Sequence, residues 1–489
     1  MRVILAIAAV LIANQVDGAE KPNVLFIAID DLNDWVGPLG GHPQVKTPHI
    51  DALAGRGTTF TNAHCQAPLC NPSRTSIMTG LRPTTTGVYA LAPWFRSAEK
   101  FKNYPTLFQW FHAQGYTTLT CGKVFHDSYP PKADRKDNGP EVDVWGTHGT
   151  LDPLPKTKFV TTPDNIAAMD WGPFPERDED CFDYDVATWA IEKLKSPPQR
   201  PFFLAVGLRH PHVPCYAPQK WFDLYPEDKL IMPEVKADDR DDLPRFASYL
   251  HWKLPEPRLK WLQENRQWVP LVRSYLSSIS FMDAQVGRIL ESLKQSGLEK
   301  NTIVVIWSDH GWHLGEKGIT GKNTLWERST RIPLIFAGPD VSAGAKCGRS
   351  VELLDLYPTL CELCTLPPNR ANEGMSLVPQ LKDAKAPRER PAITTHNPGN
   401  HAVRTEKWRY IRYADDSEEL YDEEKDPHEW TNIAGDPKFA EIKKHLTKWM
   451  PATSAAPLPG SAGRLLTYEN GVAVWEGKPI GKTDPFPDK

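Results

Sequence analysis

No charge of one sign dominates this sequence: 57 lysines and arginines stand against 61 aspartates and glutamates, a formal net charge of −4. That balance excludes a generic nucleic-acid binder and leaves any anion site to a local cluster. Long apolar runs are also missing. Val3–Ala13 is too short to span a bilayer, and nothing after it is longer, so no membrane span is expected. The cysteines, at 65, 70, 121, 181, 215, 347, 361 and 364, follow no zinc-like repeat, and their pairing cannot be read from their spacing. What is plentiful is proline and aromatic surface: 46 prolines, 17 tryptophans and 14 tyrosines imply many ordered loops. Aromatic faces suit sugar rings, although most such rings simply fill cores.

Met1-Arg2, the apolar run behind it and the small pair Gly18-Ala19 have the pattern of a secretory signal peptide cleaved near Ala19. The mature chain is thus expected outside the cytoplasm, in a periplasm, the extracellular space or a lysosome-type compartment. Its length suffices for one large α/β domain, placed at residues 20–385, and a smaller one at 386–489.

The chain is organised around Pro68–Gly80. Asn71 suits a helix N-cap, Pro72 the first helical position and Gly80 the stop, which puts Cys70 just ahead of a helix. Free amides and the helix dipole favour an anion or a thiolate there, with Arg74 adding a fork of donors one turn on. A buried structural cysteine would leave the same pattern. A tyrosine-phosphatase loop would need a wider cysteine-to-arginine spacing than the four positions present. Cys65 and Cys70 are too far apart for a CxxC motif, though a disulfide between them stays open.

Around this stretch, buried strands end in chemistry. Asn23–Ile29 is a continuous apolar run ending in Asp30-Asp31, and Thr302–Trp307 is another ending in Ser308-Asp309-His310-Gly311. Carboxyl ends of central strands are where open α/β sheets build their sites. A β-prone segment at Tyr116–Thr120 leads to Gly122-Lys123-Val124-Phe125-His126, and Pro201–Gly207 to Arg209-His210-Pro211-His212-Val213-Pro214, where prolines fix the backbone on both sides of His212. Val272–Leu293 carries apolar residues at three and four and is the clearest amphipathic helix. Helices are also expected near Thr47-Pro48, over Tyr104–Gln114 and over Asp183–Lys195. Residues 127–180 and 216–268 read as irregular excursions, the first offering Trp145, His148 and Trp171 as candidate substrate contacts. Past about residue 385, short alternations at Ala402–Arg404, Trp408–Tyr413 and Glu419–Tyr421, then a helix near Phe439–Met450, predict a small antiparallel sheet. The fold class is therefore α/β: a large, mixed, mostly parallel sheet flanked by helices, with a C-terminal antiparallel-sheet subdomain.

Asp30, Asp31 and Asp309 offer the hard oxygen donors that calcium or magnesium requires, whereas zinc would draw more nitrogen or sulfur.

Cys70-Asn71-Pro72-Ser73-Arg74, with Thr79-Gly80-Leu81-Arg82-Pro83 behind it, resembles the signature of the type I sulfatases of the alkaline-phosphatase superfamily. Gly-Tyr (115–116) followed by Gly122-Lys123 and Phe125-His126 resembles their second signature, with Cys121 a departure. Asp309-His310 and Pro211-His212-Val213-Pro214 make the chain similar to the iduronate-2-sulfatase subgroup. The resemblance implies that Cys70 is oxidised to formylglycine by a formylglycine-generating enzyme, and that Asp30, Asp31, residue 70, Asp309 and His310 hold one calcium or magnesium. It further implies attack of a formylglycine hydroxyl on a sulfate ester of a sulfated carbohydrate. Arg74, Lys123 and Lys322 would stabilise the sulfuryl charge, His212 with Lys322 would serve as acid and His126 as base. A phosphate or phosphonate ester hydrolase on the same fold, and an inactive sulfated-glycan binder, are the rival readings.

Overall fold

The computed structural model describes residues 21–148 and 153–487. The expected signal peptide lies outside the described residues. The central sheet has eight strands: β1 (Asn23–Ile29), β2 (Gly57–Phe60), β3 (Thr117–Gly122), β4 (Val144–Trp145), β5 (Phe202–Leu208), β6 (Thr302–Ser308), β7 (Leu334–Ala337) and β8 (Ala345–Cys347). Their spatial order is β8-β2-β7-β6-β1-β5-β3-β4. Only β7 runs against the rest; it is antiparallel to both β6 and β2, while the other pairs are parallel.

β1 explains why such a sheet must be covered on both sides. Val24, Phe26 and Ala28 face one apolar layer and Leu25, Ile27 and Ile29 the other, all fully buried. The first layer is closed by α2 (Cys70–Thr79), α3 (Leu107–Ala113) and α6 (Leu356–Leu363), the second by α1 (Pro48–Gly55), α4 (Phe182–Lys195) and α5 (Trp268–Gln295). α5 begins a turn earlier than its apolar period implies, because Pro270 falls in its first turn, where a missing N–H costs nothing. α3 is shorter than the expected Tyr104–Gln114 because Thr106 and Gln109 close a capping box at its start.

The C-terminal part contributes two antiparallel sheets. One has strands 392–395, 401–404, 408–412 and 418–422; the other has strands 466–469, 472–475 and 478–479. In the four-stranded sheet Val403, Tyr410 and Leu420 pack on the helix Ala440–Thr447 through Leu446. Ala402, Ile411 and Tyr421 face the other way, onto Phe246, Leu250, Ile319, Leu325 and Trp326. That second face clamps the segment around Lys322 from outside. All eight cysteines are buried free thiols, so Cys65 and Cys70 are not bonded to each other. Trp171 is 2% exposed and donates its indole N–H to Gln267, a structural use. Trp145 is half-buried, its ring stacked on Phe125, and His148 contacts the Asp127 carbonyl.

Among the described residues no helix is long and apolar enough to cross a membrane.

Candidate active site

Four parallel strands deliver the site residues to one edge of the sheet. β1 ends in Asp30-Asp31, β6 in Asp309-His310, β3 in Lys123 and β5 in the segment Arg209–His212. Lys123 is held where it is by close backbone approach. Its amide donates to Gly207 at 2.9 Å, Gly122 sits at φ 68°, and a Cβ on Gly207 would lie 2.2 Å from the Lys123 carbonyl carbon. Asp31 also takes a left-handed backbone, φ 59°, which is strained for a non-glycine residue. The turn is over-determined: the Asp31 amide donates to Asp309 Oδ1, the Leu32 amide to Ser308 Oγ, and the Tyr275 hydroxyl to the Asp31 carbonyl.

The cysteine is not ahead of α2 but at its first position, with Leu69 as an N-cap that offers no side-chain bond. Asn71 does not cap, because its amide nitrogen donates instead to the carbonyls of Ala90 and Pro93 at 3.0 and 3.2 Å. Gly80 ends the helix at φ 71°, as its position implies. Cys70 thus faces the centre from a helix N-terminus. Its Sγ is 3.3 Å from His310 Nε2, 3.2 Å from Lys322 Nζ and 3.7 Å from Asp30 Oδ1.

Charges alternate tightly here. Lys322 Nζ is 2.6 Å from Asp31 Oδ1, and Lys123 Nζ bonds Asp30 Oδ2. Arg74, expected to face an anion, spends its guanidinium on the protein: Nε donates to Asp309, Nη2 to Asp30, and Nη1 to the carbonyls of Lys123 and Val124. It is 1% exposed and ties two strand ends together from behind. Burial alone would raise Asp30, but Lys123, His212, Arg74 and Lys322 together hold it well below the carboxylate range. Asp31 is pushed up to about 7 by burial, aided by Asp30 and Asp309 and opposed by Lys322. Burial likewise lifts the Cys70 thiol to about 12 against the pull of Lys322 and Lys123. As a thiol it is therefore a poor nucleophile.

Asp30, Asp31, Cys70 and His310 bring one ligand atom each to within 4.8 Å of one another. Asp31 Oδ2 is buried without a hydrogen-bond partner among the described residues, an orphan that a cation would satisfy. The donors fit a hard dication in oxygen content. Asp309 stands just outside this four-residue group, with Oδ2 3.5 Å from His310 Nε2.

The two candidate proton carriers flank the centre. His212 Nε2 lies 3.8 Å from Asp31 and 4.0 Å from Asp30, while its Nδ1 pairs with the Val213 carbonyl. Burial and then Lys123 hold this ring well below its ordinary value, with Asp30 opposing. His126 Nδ1 has no partner among the described residues, and burial followed by Lys123 takes the ring down to about 3. Both imidazoles are neutral near pH 7.

Apart from Ser73, which lies inside the 70–74 signature, residues with no distinguishing sequence signal complete the surroundings. Asp127 bridges Arg209, at 3.1 Å, and Lys123, at 3.8 Å. Ser73 Oγ donates to the Asp309 carbonyl. Asn323, beside Lys322, takes φ 75° and gives its amide to the Pro68 carbonyl, so the lysine loop is latched to the chain just before Cys70. On the far side of that loop Glu327 meets Arg404 and Arg409 of the C-terminal sheet, with Glu423 and Glu429 alongside, in a charged cleft of about 300 Å³.

Residues 22–366 match the family model described as Sulfatase, and residues 315–456 match that of the C-terminal region of N-sulphoglucosamine sulphohydrolase. A sulfatase of Formosa agariphila is 41% identical over 450 residues, covering 89% of this chain and 87% of that protein. Iduronate 2-sulfatase of Mus musculus is 32% identical over 398 residues, covering 71% and 69%. The solved structure of a 2-O GAG sulfatase superposes with a TM-score of 0.68 at 25% identity, over 88% of this chain and 91% of the other.

Proposed function

The chain belongs to the sulfatase family and is a sulfuric ester hydrolase, and from that premise we propose that the ester it cleaves is an O-sulfate on a sugar, outside the cytoplasm, with residue 70 as formylglycine. The observation that carries this reading is the position of Cys70: first in a helix, within 3.3 Å of both Lys322 and His310 and beside the Asp30–Asp31 pair. The likeness to iduronate 2-sulfatase supports a sulfated uronate or a related sugar.

Asp30, Asp31, residue 70 and His310, with Asp309 behind them, would hold one calcium or magnesium ion, which when bound draws charge from a sulfuryl oxygen. Lys322 and Lys123 supply fixed positive charge on two sides of the same point. Formylglycine at residue 70 supplies the oxygen nucleophile that a thiol of raised pKa does not. His212 with Lys322 would hand a proton to the departing alcohol: His212 Nε2 lies 4.0 Å from Asp30 and 3.8 Å from Asp31, and Asp30 opposes the burial and the Lys123 charge that disfavour the imidazolium. His126, kept neutral, can serve as base through the lone pair of its ring, with Nδ1 free of any partner among the described residues.

The test is release of inorganic sulfate by purified protein from sulfated glycans and an aryl sulfate, alongside an aryl phosphate and the Cys70→Ala variant. Sulfate release that Cys70→Ala abolishes, with residue 70 resistant to iodoacetamide and captured by a hydrazine, is the expected result. Preference for the phosphate, or an active preparation whose Cys70 is fully alkylated, would sink the reading.

A further inference from the structure

Arg464 lies between the end of the four-stranded part of the chain and the strand 466–469, far in sequence from every residue of the centre. Its backbone is left-handed, φ 72°, and is fixed by Asn397, which donates to the Arg464 carbonyl and accepts from the Leu466 amide. That brace aims the guanidinium at the lysine loop. Nη1 donates to Asn323 Oδ1 and Nη2 to Glu256 Oε1 at 2.7 Å. Asn323 is the residue after Lys322, whose Nζ is 3.2 Å from Cys70 Sγ, and the charge of Arg464 is felt at Lys322 itself.

The other cations at this edge are consumed. Lys123 and Lys322 each bond a carboxylate of the centre, and Arg74 is committed to two carboxylates and two carbonyls. Arg464 is not. Of the five N–H donors of a guanidinium, two are engaged, and among the described residues no partner takes the other three. Its side chain is 15% exposed, whereas Glu256 is 1% exposed and has its second oxygen, Oε2, buried and without a partner among the described residues. Gly321 makes this arrangement possible, since a Cβ there would meet the Glu256 side chain at 2.8 Å. A strut between two parts of the fold would bury its donors; this one keeps three for something that arrives from solvent.

Resting on the reading given above, we propose that Arg464 determines substrate specificity by pairing with an anionic substituent, a carboxylate or a second sulfate, on the sugar whose sulfate ester is placed at residue 70. Glu256 and Asn323 hold the guanidinium in the plane that a bidentate contact to such an anion needs. The chemistry reaches the site from the C-terminal part of the chain, so that part selects what the centre cleaves.

The experiment uses full-length protein and matched substrates: a uronic acid sulfate and its carboxyl-reduced counterpart, a disulfated and a monosulfated glucosamine, and nitrophenyl sulfate. Wild-type protein should favour the more anionic member of at least one sugar pair, and which pair it is distinguishes carboxylate from sulfate. Arg464→Gln should raise KM for that member about 10- to 100-fold, the range of a lost hydrogen bond to a charged group, with kcat little changed. The less anionic partner and nitrophenyl sulfate should shift by less than about threefold, and Arg464→Lys should recover part of the loss. Equal losses on every substrate would make Arg464 a strut and overturn the proposal, as would absence of any preference in the wild type. Release of sulfate from nitrophenyl sulfate with none from the four sugars would instead remove the sugar-sulfate reading beneath it.

Discussion

Nε of Arg74 lies 2.8 Å from Oδ2 of Asp309, and the same guanidinium reaches Asp30 with Nη2 at 3.1 Å. One residue of the helix that carries Cys70 thereby fixes the spacing of two strand ends. Removing it would leave Asp309 buried without its arginine and Asp30 with Lys123 as its remaining direct cationic partner. Breaking a buried pair from one side costs about 3–5 kcal/mol, so Arg74→Ala should lower unfolding free energy by about that much in urea titrations. An Arg74→Ala protein with wild-type stability and lost turnover would put the guanidinium in front of the centre, not behind it.

Metal dependence follows from the carboxylates. Chelation should abolish turnover, and calcium or magnesium should restore it. Asp31→Asn and Asp309→Ala should both reduce bound metal in elemental analysis, Asp31→Asn the more strongly, since Asp31 belongs to the four-residue group and Asp309 stands outside it. Stoichiometric zinc in active protein would contradict the donor set.

The two flanking imidazoles should separate by leaving group. A sugar hydroxyl needs a proton as its bond to sulfur breaks, whereas a nitrophenolate leaves unaided, and general-acid help is worth roughly 100- to 10,000-fold. His212→Ala should slow a sulfated sugar by about that range and an aryl sulfate far less. His126→Ala should instead leave protein that retains sulfate on residue 70 during turnover, visible by mass spectrometry. Because His126 stays neutral down to about 3, it should impose no loss of rate between pH 5 and 7. Equal losses on both substrates in His212→Ala, with retained sulfate in that variant, would exchange the two roles.

Stability should depend on pH through the cluster behind the lysine loop. Burial, with Glu327 next, pushes Glu423 up to about 7 against Arg404 and Arg409. The folded protein therefore holds a proton that the unfolded chain, near 4.5, releases. This contribution is full below about 4.5 and is lost as pH rises to about 7. At about 1.4 kcal/mol per pKa unit it is of the order of 3 kcal/mol. Glu423→Gln should melt progressively higher than wild type between pH 5 and 8, and parallel melting curves for the two proteins would refute the shift.

The strand ends were legible because a continuous apolar run followed by acids admits few folds: β1 matches its seven expected residues, and β6 extends its run by Ser308 alone. Cys70 was legible as a residue type, but the helix start is displaced by two positions, from Pro72 to Cys70, because Asn71 and Pro72 have strong local preferences that tertiary bonds to Ala90 and Pro93 override. Arg74 shows a different limit. Its neighbours in sequence mark it as an anion ligand, and only the folded geometry shows that the anions are Asp30 and Asp309. Asn323, Glu256 and Arg464 meet from three separate segments without any shared spacing, so no pattern could have joined them. The hairpin 466–475 turns on Asn470-Gly471, both at positive φ, but its strands are half exposed and carry too little apolar alternation to stand out.

Glu327, five residues after Lys322, is gripped by Arg404 and Arg409 of the C-terminal sheet. The lysine that faces Cys70 thus depends on residues made last. A nascent chain halted before residue 392 would contain every ligand and proton carrier assigned here, but would hold its lysine loop by bonds such as Asn323–Pro68 and Lys322–Asp31, without the grip on Glu327. A product of proteolysis or early termination that lacks Arg404 and Arg409 should lose turnover even where its central sheet survives.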